Sequence, residues 1–335
     1  MTTDRRRRLW SAAKLVLGIA LLIAVVRWIT PDLAAIAERA EPAPLLGLVG
    51  LCGTVIAALV TSARWKVMVE AMGGTRLPYA IYFHGLVLTK VLGQFTSTLA
   101  MDLVGRGLAL RSAGSERGLG HAMTQAILER LFDLLLPAVF LVWALAIHQA
   151  AATGGIVVAT FAAILAAFAL LAALILWPLA QVALRAYLWI AARRGRTIAD
   201  EVREELLTTP IDRGLAARVG ILSVLRYVAI LGQYWAVAGA VGIALEFRTI
   251  ALAAPVGQLA GIIGVTPGAL GIQEAGWAGA FGWLGALDPA AIGLFVLSQR
   301  ALVLAFFALL SLLSWPWARR ARRRPGSVPK DSYKS

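Results

Sequence analysis

Arginines and carboxylates interrupt the apolar stretches of this sequence, where a charge is costly. Arg130 follows Glu129 within one long apolar run, and Arg300 lies within another. An arginine at the centre of a membrane-spanning helix costs about 2.5–3.5 kcal/mol on insertion scales, so each one needs a partner. Guanidinium binds carboxylate and phosphate in the same bidentate geometry. The pattern therefore predicts ion pairs with carboxylates such as Asp102 and Glu274, or a site for a lipid phosphate.

A single pair of this kind is also explained by a buried salt bridge that only fixes the register of two helices. Four arginines inside apolar runs favour a shared polar cavity instead: Arg106, Arg130, Arg226 and Arg300. Within that cavity we expect Glu274 to find partners in Arg130 and Arg300. The carboxylates would balance the charge or select a cationic group on the ligand.

The stretch from Gly257 to Gly285 is apolar but too rich in glycine for an ordinary spanning helix. It also contains Pro267, which removes a helical hydrogen bond and clashes with the preceding turn. The turn Thr266, Pro267, Gly268 is predicted to end one half-helix and start another. The N-terminus of a half-helix favours anions, so a phosphate headgroup is the expected ligand. The alternative is a kink needed only for packing.

A second broken segment is predicted at Tyr79–Leu99, which is moderately apolar and contains Lys90 and Gln94. Basic residues concentrate on the cytoplasmic side of membrane proteins. Because Arg76 and Arg106 flank the segment, we expect it to enter and leave on that side as a re-entrant hairpin. An ordinary span with a few polar residues is the alternative.

The two broken segments resemble each other. Gln94 lies 36 residues before Arg130, and Gln258 lies 42 residues before Arg300, in similar local sequences. Opposite sides of insertion would make this an inverted repeat, and paired discontinuous helices indicate a binding site near the membrane midplane.

Composition defines the fold class. The chain is 60% hydrophobic and 15% charged, against about 25% charged in soluble proteins. We therefore predict an all-α polytopic membrane protein with both termini in the cytoplasm. The net charge of +14 comes largely from basic clusters at membrane edges, so we expect membrane and lipid partners and no nucleic acid. We expect no cofactor, metal site or catalytic motif, because nucleotide-binding, zinc and hydrolase signatures are missing from the sequence. A homo-oligomer is compatible with this class.

The apolar runs predict a single transmembrane domain over residues 1–318 and a basic cytoplasmic tail over residues 319–335. Its half-repeats are residues 45–147 and 215–317, linked by a span at 156–179 and a basic amphipathic connector at 181–214. Arg64 is expected to return the chain to the cytoplasm after the second span. Six full spans are predicted, besides the broken segments Tyr79–Leu99 and Ile250–Gly285: Trp10–Ile29, Leu45–Thr61, Gly118–Ile147, Ile156–Leu179, Leu215–Leu245 and Ala291–Trp315.

Three strings resemble motifs of the lysylphosphatidylglycerol synthase/flippase transmembrane-domain family. GVTPGALGIQEAG is similar to its proline-glycine-glycine-glutamate signature. AMDLVGRGLAL and AILERLFDLL resemble its glycine-aspartate-arginine loop and glutamate-arginine helix. The family has glycine where this chain has Met101, and a basic residue where it has Gln273. The resemblance spans roughly Trp10 to Trp317.

The resemblance implies lipid translocation across the bacterial cell inner membrane. We expect no synthase domain beside this transmembrane region, so lysyl transfer is not implied and no enzyme activity is expected. Two alternatives stay open: an integral-membrane enzyme acting on a phospholipid or polyprenyl lipid, and a scaffold for a lipid-synthesis pathway. The expected headgroup cavity involves these residues: Gln94, Asp102, Arg106, Glu129, Arg130, Arg226, Gln258, Thr266, Pro267, Glu274 and Arg300.

Overall fold

The fold is known from a computed structural model. It describes residues 43–96, 98, 101–115, 119–149, 154–174, 213–263 and 266–323, together with six isolated positions. Within these ranges every regular element is a helix and there is no strand, which confirms the all-α class. Most of the first predicted span and of the amphipathic connector lies outside the described residues.

Nine α-helices occur in the described part of the chain, and we number them in chain order. A π-helical turn, Met101–Gly105, leads directly into α3, and a 3-10 turn, Pro267–Ala269, separates α7 from α8. The helices are α1 Pro44–Ala71, α2 Tyr79–Phe95, α3 Arg106–Arg111, α4 Leu119–Gln149, α5 Gly154–Leu174, α6 Arg213–Ala240, α7 Phe247–Ile263, α8 Ile272–Leu284 and α9 Pro289–Arg323.

Three of these helices are long and apolar enough to cross a membrane: α1, α6 and α9. In α4 and α5 the apolar stretches found among the described residues are Phe132–His148 and Gly155–Phe168. The count of six spans and the boundaries of the half-repeats therefore stay predictions.

Two helices continue past boundaries predicted from the sequence. Helix α1 continues to Ala71, beyond the predicted span end at Thr61, and the Arg64 side chain within it is 0% exposed. Helix α9 continues to Arg323, into the range predicted as the basic tail. Its terminal arginines lie at the negative end of the helix macrodipole, which favours cations in the last turn.

The segment after α2 folds back against it. A Cβ atom on Gly85 would lie 3.2 Å from Ala109 Cβ, and one on Gly93 would lie 3.7 Å from Met101 Cβ. The later residue of α2 therefore faces the earlier residue of the returning segment, so the two limbs are antiparallel. With 17 residues, α2 is about 25 Å long, which is shorter than the roughly 30 Å hydrocarbon core of a bilayer.

Helices α7 and α8 form a second antiparallel hairpin. A Cβ atom on Gly257 would lie 2.4 Å from Trp277 Cε2, and one on Gly261 would lie 3.2 Å from Gln273 Cδ. With 17 and 13 residues, the two limbs are about 25 Å and 20 Å long. Glycine on α7 lets the aromatic ring of α8 lie directly against its backbone. The glycine-rich stretch is thus broken into two short helices, as its sequence predicts.

The long helices enclose these hairpins. Helices α1 and α6 are antiparallel, with Gly50 facing Val237 and Gly53 facing Gln233. Helix α2 packs on α9, and α7 packs on α4. A cluster of buried aromatic rings, including Phe140 stacked on Tyr227 at 4.9 Å, joins α4, α5 and α6. The ends of the two hairpins are therefore held between packed helices.

Replacing Gly257 with alanine is expected to destabilise the protein, because the new Cβ would overlap the indole of Trp277. Trp277 is 1% exposed, stacks on Phe281 and meets Tyr234 edge-on, so it has no space to move into. Overpacking of this kind costs about 1–3 kcal/mol. Thermal unfolding in detergent measures the effect, with Gly279→Ala in α8 as the control because no atom lies within 4 Å of its new Cβ. Equal melting temperatures for the two variants would contradict the prediction.

Candidate functional site

The ends of the two hairpins meet at Arg300 of α9. Its Nη1 donates to Glu274 Oε1, and its Nη2 donates to Gly268 O at 2.7 Å and to Gln94 Oε1 at 3.2 Å. Gln94 belongs to the last turn of α2, whereas Gly268 and Glu274 belong to the α7–α8 hairpin. The expected pairing of Glu274 with Arg300 is therefore confirmed. One guanidinium links the ends of both hairpins to a long helix.

The turn between α7 and α8 is closed by its own side chains. Thr266 Oγ1 donates to Leu270 O at 2.8 Å, and Glu274 Oε2 accepts from the backbone N–H of Gly271 at 2.7 Å. Glu274 thus uses one carboxylate oxygen to cap α8 and the other to bind Arg300. Pro267 begins the 3-10 turn between these two residues, which agrees with the predicted break.

Gly268 is required for the contact between the hairpin ends. Its φ of +59° is in the left-handed region, and a Cβ atom there would lie 2.6 Å from Gln94 O and 2.8 Å from Arg300 Nη2. Both the backbone conformation and the close approach exclude a larger residue.

A separate ionic network begins at Asp102 in the π-helical turn. Its carboxylate accepts from Arg130 Nη2 at 2.5 Å and Arg106 Nη2 at 3.1 Å, and Lys90 Nζ lies 3.4 Å from both oxygens. The expectation that Arg130 pairs with Glu274 is wrong, because Arg130 binds Asp102 instead. The fold-back after α2 places Asp102 between α2 and α4, and this position explains the choice of partner.

The network continues through the two carboxylates of α4. Glu129 Oε2 accepts from Arg106 Nη1 at 2.5 Å and Arg64 Nη2 at 3.3 Å. Asp133 Oδ1 accepts from Arg64 Nη1 at 2.8 Å and Arg226 Nη1 at 3.0 Å. Because Glu129 and Asp133 are four residues apart, they lie on one face of α4, where Arg64 reaches both.

The network carries an excess of positive charge. It contains five cations and three carboxylates, so its formal charge is +2, and the Arg300–Glu274 pair adds none. Moving ions out of water costs several kcal/mol each, and attraction between partners repays this only when the charges balance and the donors are satisfied. The arrangement is therefore suited to a further anion. The members are Arg64, Lys90, Arg106, Arg130, Arg226, Asp102, Glu129 and Asp133.

Sequence reasoning missed the central position of Arg64. Its side chain is fully buried, contacts two carboxylates of α4, and donates to Ser223 Oγ of α6 at 2.8 Å. One signal was available: the carboxylates at Glu129 and Asp133 share a helix face and outnumber the single neighbouring Arg130. A second cation from another helix was therefore required.

A cavity of about 200 Å³ lies between α1, α2, α6 and α9, beside Arg300. Part of its lining is apolar and includes Leu86, Ile230, Val303 and Phe307. None of its lining side chains in the described part of the chain is a carboxylate. The cationic and amide side chains that line it are Lys90, Gln94, Arg226, Gln233, Gln273, Gln299 and Arg300.

Three of the predicted site residues line the cavity: Gln94, Arg226 and Arg300. The network residues Asp102, Arg106 and Glu129 are buried beside it and do not line it. Sequence reasoning did not assign Lys90, Gln233, Gln273 or Gln299 to the site. Polar residues at helical spacing in an apolar run are the signal for these four.

Gln258 differs from its repeat partner Gln94. It is 8% exposed on α7, and its Nε2 has no hydrogen-bond partner among the described residues. It is not among the residues that line the cavity beside Arg300, and the ion pair of Arg130 is with Asp102. The contact between Gln94 and Arg300 therefore has no counterpart between Gln258 and Arg130 among the described residues.

Comparison with known proteins gives one family. The family model described as lysylphosphatidylglycerol synthase TM region matches residues 15–311 of the 335. A search of curated proteins found no match. The matched range includes both hairpins, the ionic network and the cavity.

Proposed function

Because this chain belongs to the lysylphosphatidylglycerol synthase TM region family, we propose that it is a lipid flippase of the bacterial inner membrane. In this proposal it moves a lipid with a phosphate-containing headgroup between leaflets without changing the lipid covalently. The membrane location itself follows from the family and from three helices able to span a bilayer. The observation that carries the proposal is the cavity, which is lined both by hydrogen-bond donors and by apolar side chains.

The headgroup would bind to the cationic side chains of the lining. Lys90, Arg226 and Arg300 all line the cavity, and guanidinium donates to phosphate oxygens in bidentate geometry. The apolar lining side chains, which include Leu86 and Phe307, would accommodate the first part of the acyl chains. A site that combines a polar group with apolar surface matches the two chemistries of a lipid.

The two hairpins would act as the gate. We propose that both are re-entrant, that they enter from opposite faces as an inverted repeat, and that both termini are cytoplasmic. Their limbs are each shorter than the bilayer core, and their ends meet through Arg300, Gln94 and Gly268. Separation of these ends would open a path from the cavity to the other leaflet. Discontinuous helices that meet at a central site support transport by alternating exposure.

Lipid translocation in liposomes tests this proposal. We expect the purified chain to move fluorescent phosphatidylglycerol between leaflets, and Arg130→Ala and Glu274→Ala to slow it at least about tenfold, equal to 1.4 kcal/mol. Glu274→Ala frees Arg300 from its partner, whereas Arg130→Ala removes a cation from Asp102. The control is Arg248→Ala, because Arg248 is an exposed residue paired only with neighbouring Glu246 in the described chain. Unchanged rates in both test variants would contradict the site.

Lipid analysis of a deletion strain separates transport from covalent modification. If the proposal is correct, every lipid is present and its distribution between leaflets is altered. The loss of one modified lipid would indicate an enzyme and contradict the proposal.

A further inference from the structure

We propose that the cavity selects a headgroup with two negative charges, a phosphomonoester or a diphosphate, over a phosphodiester with one. This inference deepens the flippase proposal and rests on it. It concerns which headgroup the cavity binds, whereas the flippase proposal concerns movement of the lipid.

The network beside the cavity has more cations than carboxylates. Every carboxylate in it already serves more than one cation. Asp102 faces three, and Glu129 and Asp133 each face two. The excess of two positive charges therefore has no counterion among the described residues. A dianionic headgroup would bring the sum to zero, while a phosphodiester would leave one positive charge.

Residues that line the cavity have hydrogen-bond donors without a close partner among the described residues. Lys90 Nζ lies 3.4 Å from Asp102, a loose contact, and its side chain is 27% exposed. Arg226 has five N–H donors, and its one side-chain hydrogen bond to a described residue goes to Asp133. Gln233 is 4% exposed, and its Nε2 has no partner within the described ranges. All three residues line the cavity, and Lys90 and Arg226 place charged side chains beside it.

Phosphomonoesters and phosphodiesters differ in charge and in the number of acceptor oxygens. A phosphomonoester carries about −1.5 to −2 at pH 7 and offers three strong acceptor oxygens, because its second pKa is about 6. A phosphodiester carries one charge and has two free oxygens. An ammonium group would meet cations and no lining carboxylate in the described part of the cavity. The lining therefore disfavours a headgroup esterified with a cationic amino acid.

The test measures binding to the purified full chain in detergent, by thermal shift against lipid concentration. The probes are phosphatidic acid, phosphatidylglycerol and phosphatidylcholine of matched acyl chains. We expect phosphatidic acid to bind at least about tenfold more tightly than phosphatidylglycerol, because close charge pairs away from water are strong. We expect Lys90→Gln to reduce this ratio to about threefold or less and Lys90→Arg to retain it. Arg248 is exposed, is paired with Glu246 and is not among the residues that line the cavity, so Arg248→Gln is expected to leave the ratio unchanged.

Glycerol 3-phosphate distinguishes a free phosphate from a lipid headgroup. Tight binding of this soluble probe assigns the cavity to phosphomonoesters in general, and weak binding assigns it to those attached to lipid. Either result supports the charge preference when phosphatidic acid also binds more tightly than phosphatidylglycerol.

Equal or tighter binding of phosphatidylglycerol would overturn the inference. So would a ratio that Lys90→Gln leaves intact while the variant elutes and melts as the parent does. The flippase proposal fails independently if the chain prefers phosphatidic acid and yet no lipid moves between leaflets in liposomes. Movement of phosphatidylglycerol without any binding preference for phosphatidic acid would support the flippase proposal and contradict the proposed selection of a dianionic headgroup.

Discussion

Replacing Asp102 with asparagine is expected to lower the free energy of unfolding by about 3–5 kcal/mol, the range for removing one partner of a buried ion pair. Asp102 is the shared counterion of Lys90, Arg106 and Arg130, and its side chain is buried. The substitution keeps the shape of the side chain but raises the excess charge of the network from +2 to +3. Three cations would then lie around a neutral amide, which accepts hydrogen bonds through one oxygen only.

Equilibrium unfolding in mixed micelles measures this loss. The control is Glu70→Gln, because Glu70 forms a partly exposed pair with Lys66 one turn away, worth about 0–1 kcal/mol. A loss for Asp102→Asn no larger than that for Glu70→Gln would show that the network does not depend on its shared carboxylate.

Restoring the net charge of the network is expected to recover part of the stability lost in Asp102→Asn. Combining Asp102→Asn with Arg130→Gln returns the excess charge to +2, so the double variant is expected to be more stable than Asp102→Asn alone. Residues in one ionic network are typically coupled by about 0.5–3 kcal/mol. Additive losses would contradict the view that net charge decides the stability of this region.

Three features were predictable from sequence because they follow from residue types and the cost of placing them in an apolar run. The break at Thr266, Pro267 and Gly268 follows from a proline and two small residues inside an apolar run. The pairing of Glu274 with Arg300 follows from the cost of leaving either charge alone in a membrane. The all-helical class follows from composition and the length of the apolar runs.

The remaining features depend on which helices become neighbours. Arg64 contacts residues 65, 69 and 159 positions away, so nothing close to it in sequence reveals its partners. Its position near Lys66 resembles the basic flank of a span on the cytoplasmic side. The packing of α1 against α4 and α6 buries it, and this packing is not visible in the sequence. Arg130 similarly binds Asp102 rather than Glu274, because the fold-back after α2 places Asp102 within reach.

Repeat symmetry is also a limited guide. The matching sequences around Gln94 and Gln258 predict equivalent roles, but only Gln94 binds the arginine of the other half among the described residues. The π-helical segment Met101–Gly105 lies in the return limb of the first hairpin, whereas the second hairpin turns through the 3-10 segment Pro267–Ala269. Short sequence matches do not determine such differences.

Replacing Gly268 with alanine is expected to separate the hairpin ends and slow lipid translocation at least about tenfold. The new Cβ would lie 2.6 Å from the backbone oxygen of Gln94 and 2.8 Å from Arg300 Nη2. A backbone oxygen cannot rotate away as a side chain can, so α2 or the turn itself must move. This movement would disrupt the hydrogen bonds that Arg300 Nη2 donates to Gln94 Oε1 and to Gly268 O. Overpacking adds about 1–3 kcal/mol of destabilisation.

Gly285→Ala is a matched control for the backbone component. Gly268 and Gly285 share a φ of +59°, so alanine brings similar left-handed strain, about 1–2 kcal/mol, at both positions. They differ in surroundings, because no atom lies within 4 Å of a Cβ on Gly285. The difference between the two variants in melting temperature and translocation rate therefore isolates the contact between the hairpin ends. If both variants translocate lipid at the same rate, that contact is not a gate. Translocation would then have to occur along another surface of the helices.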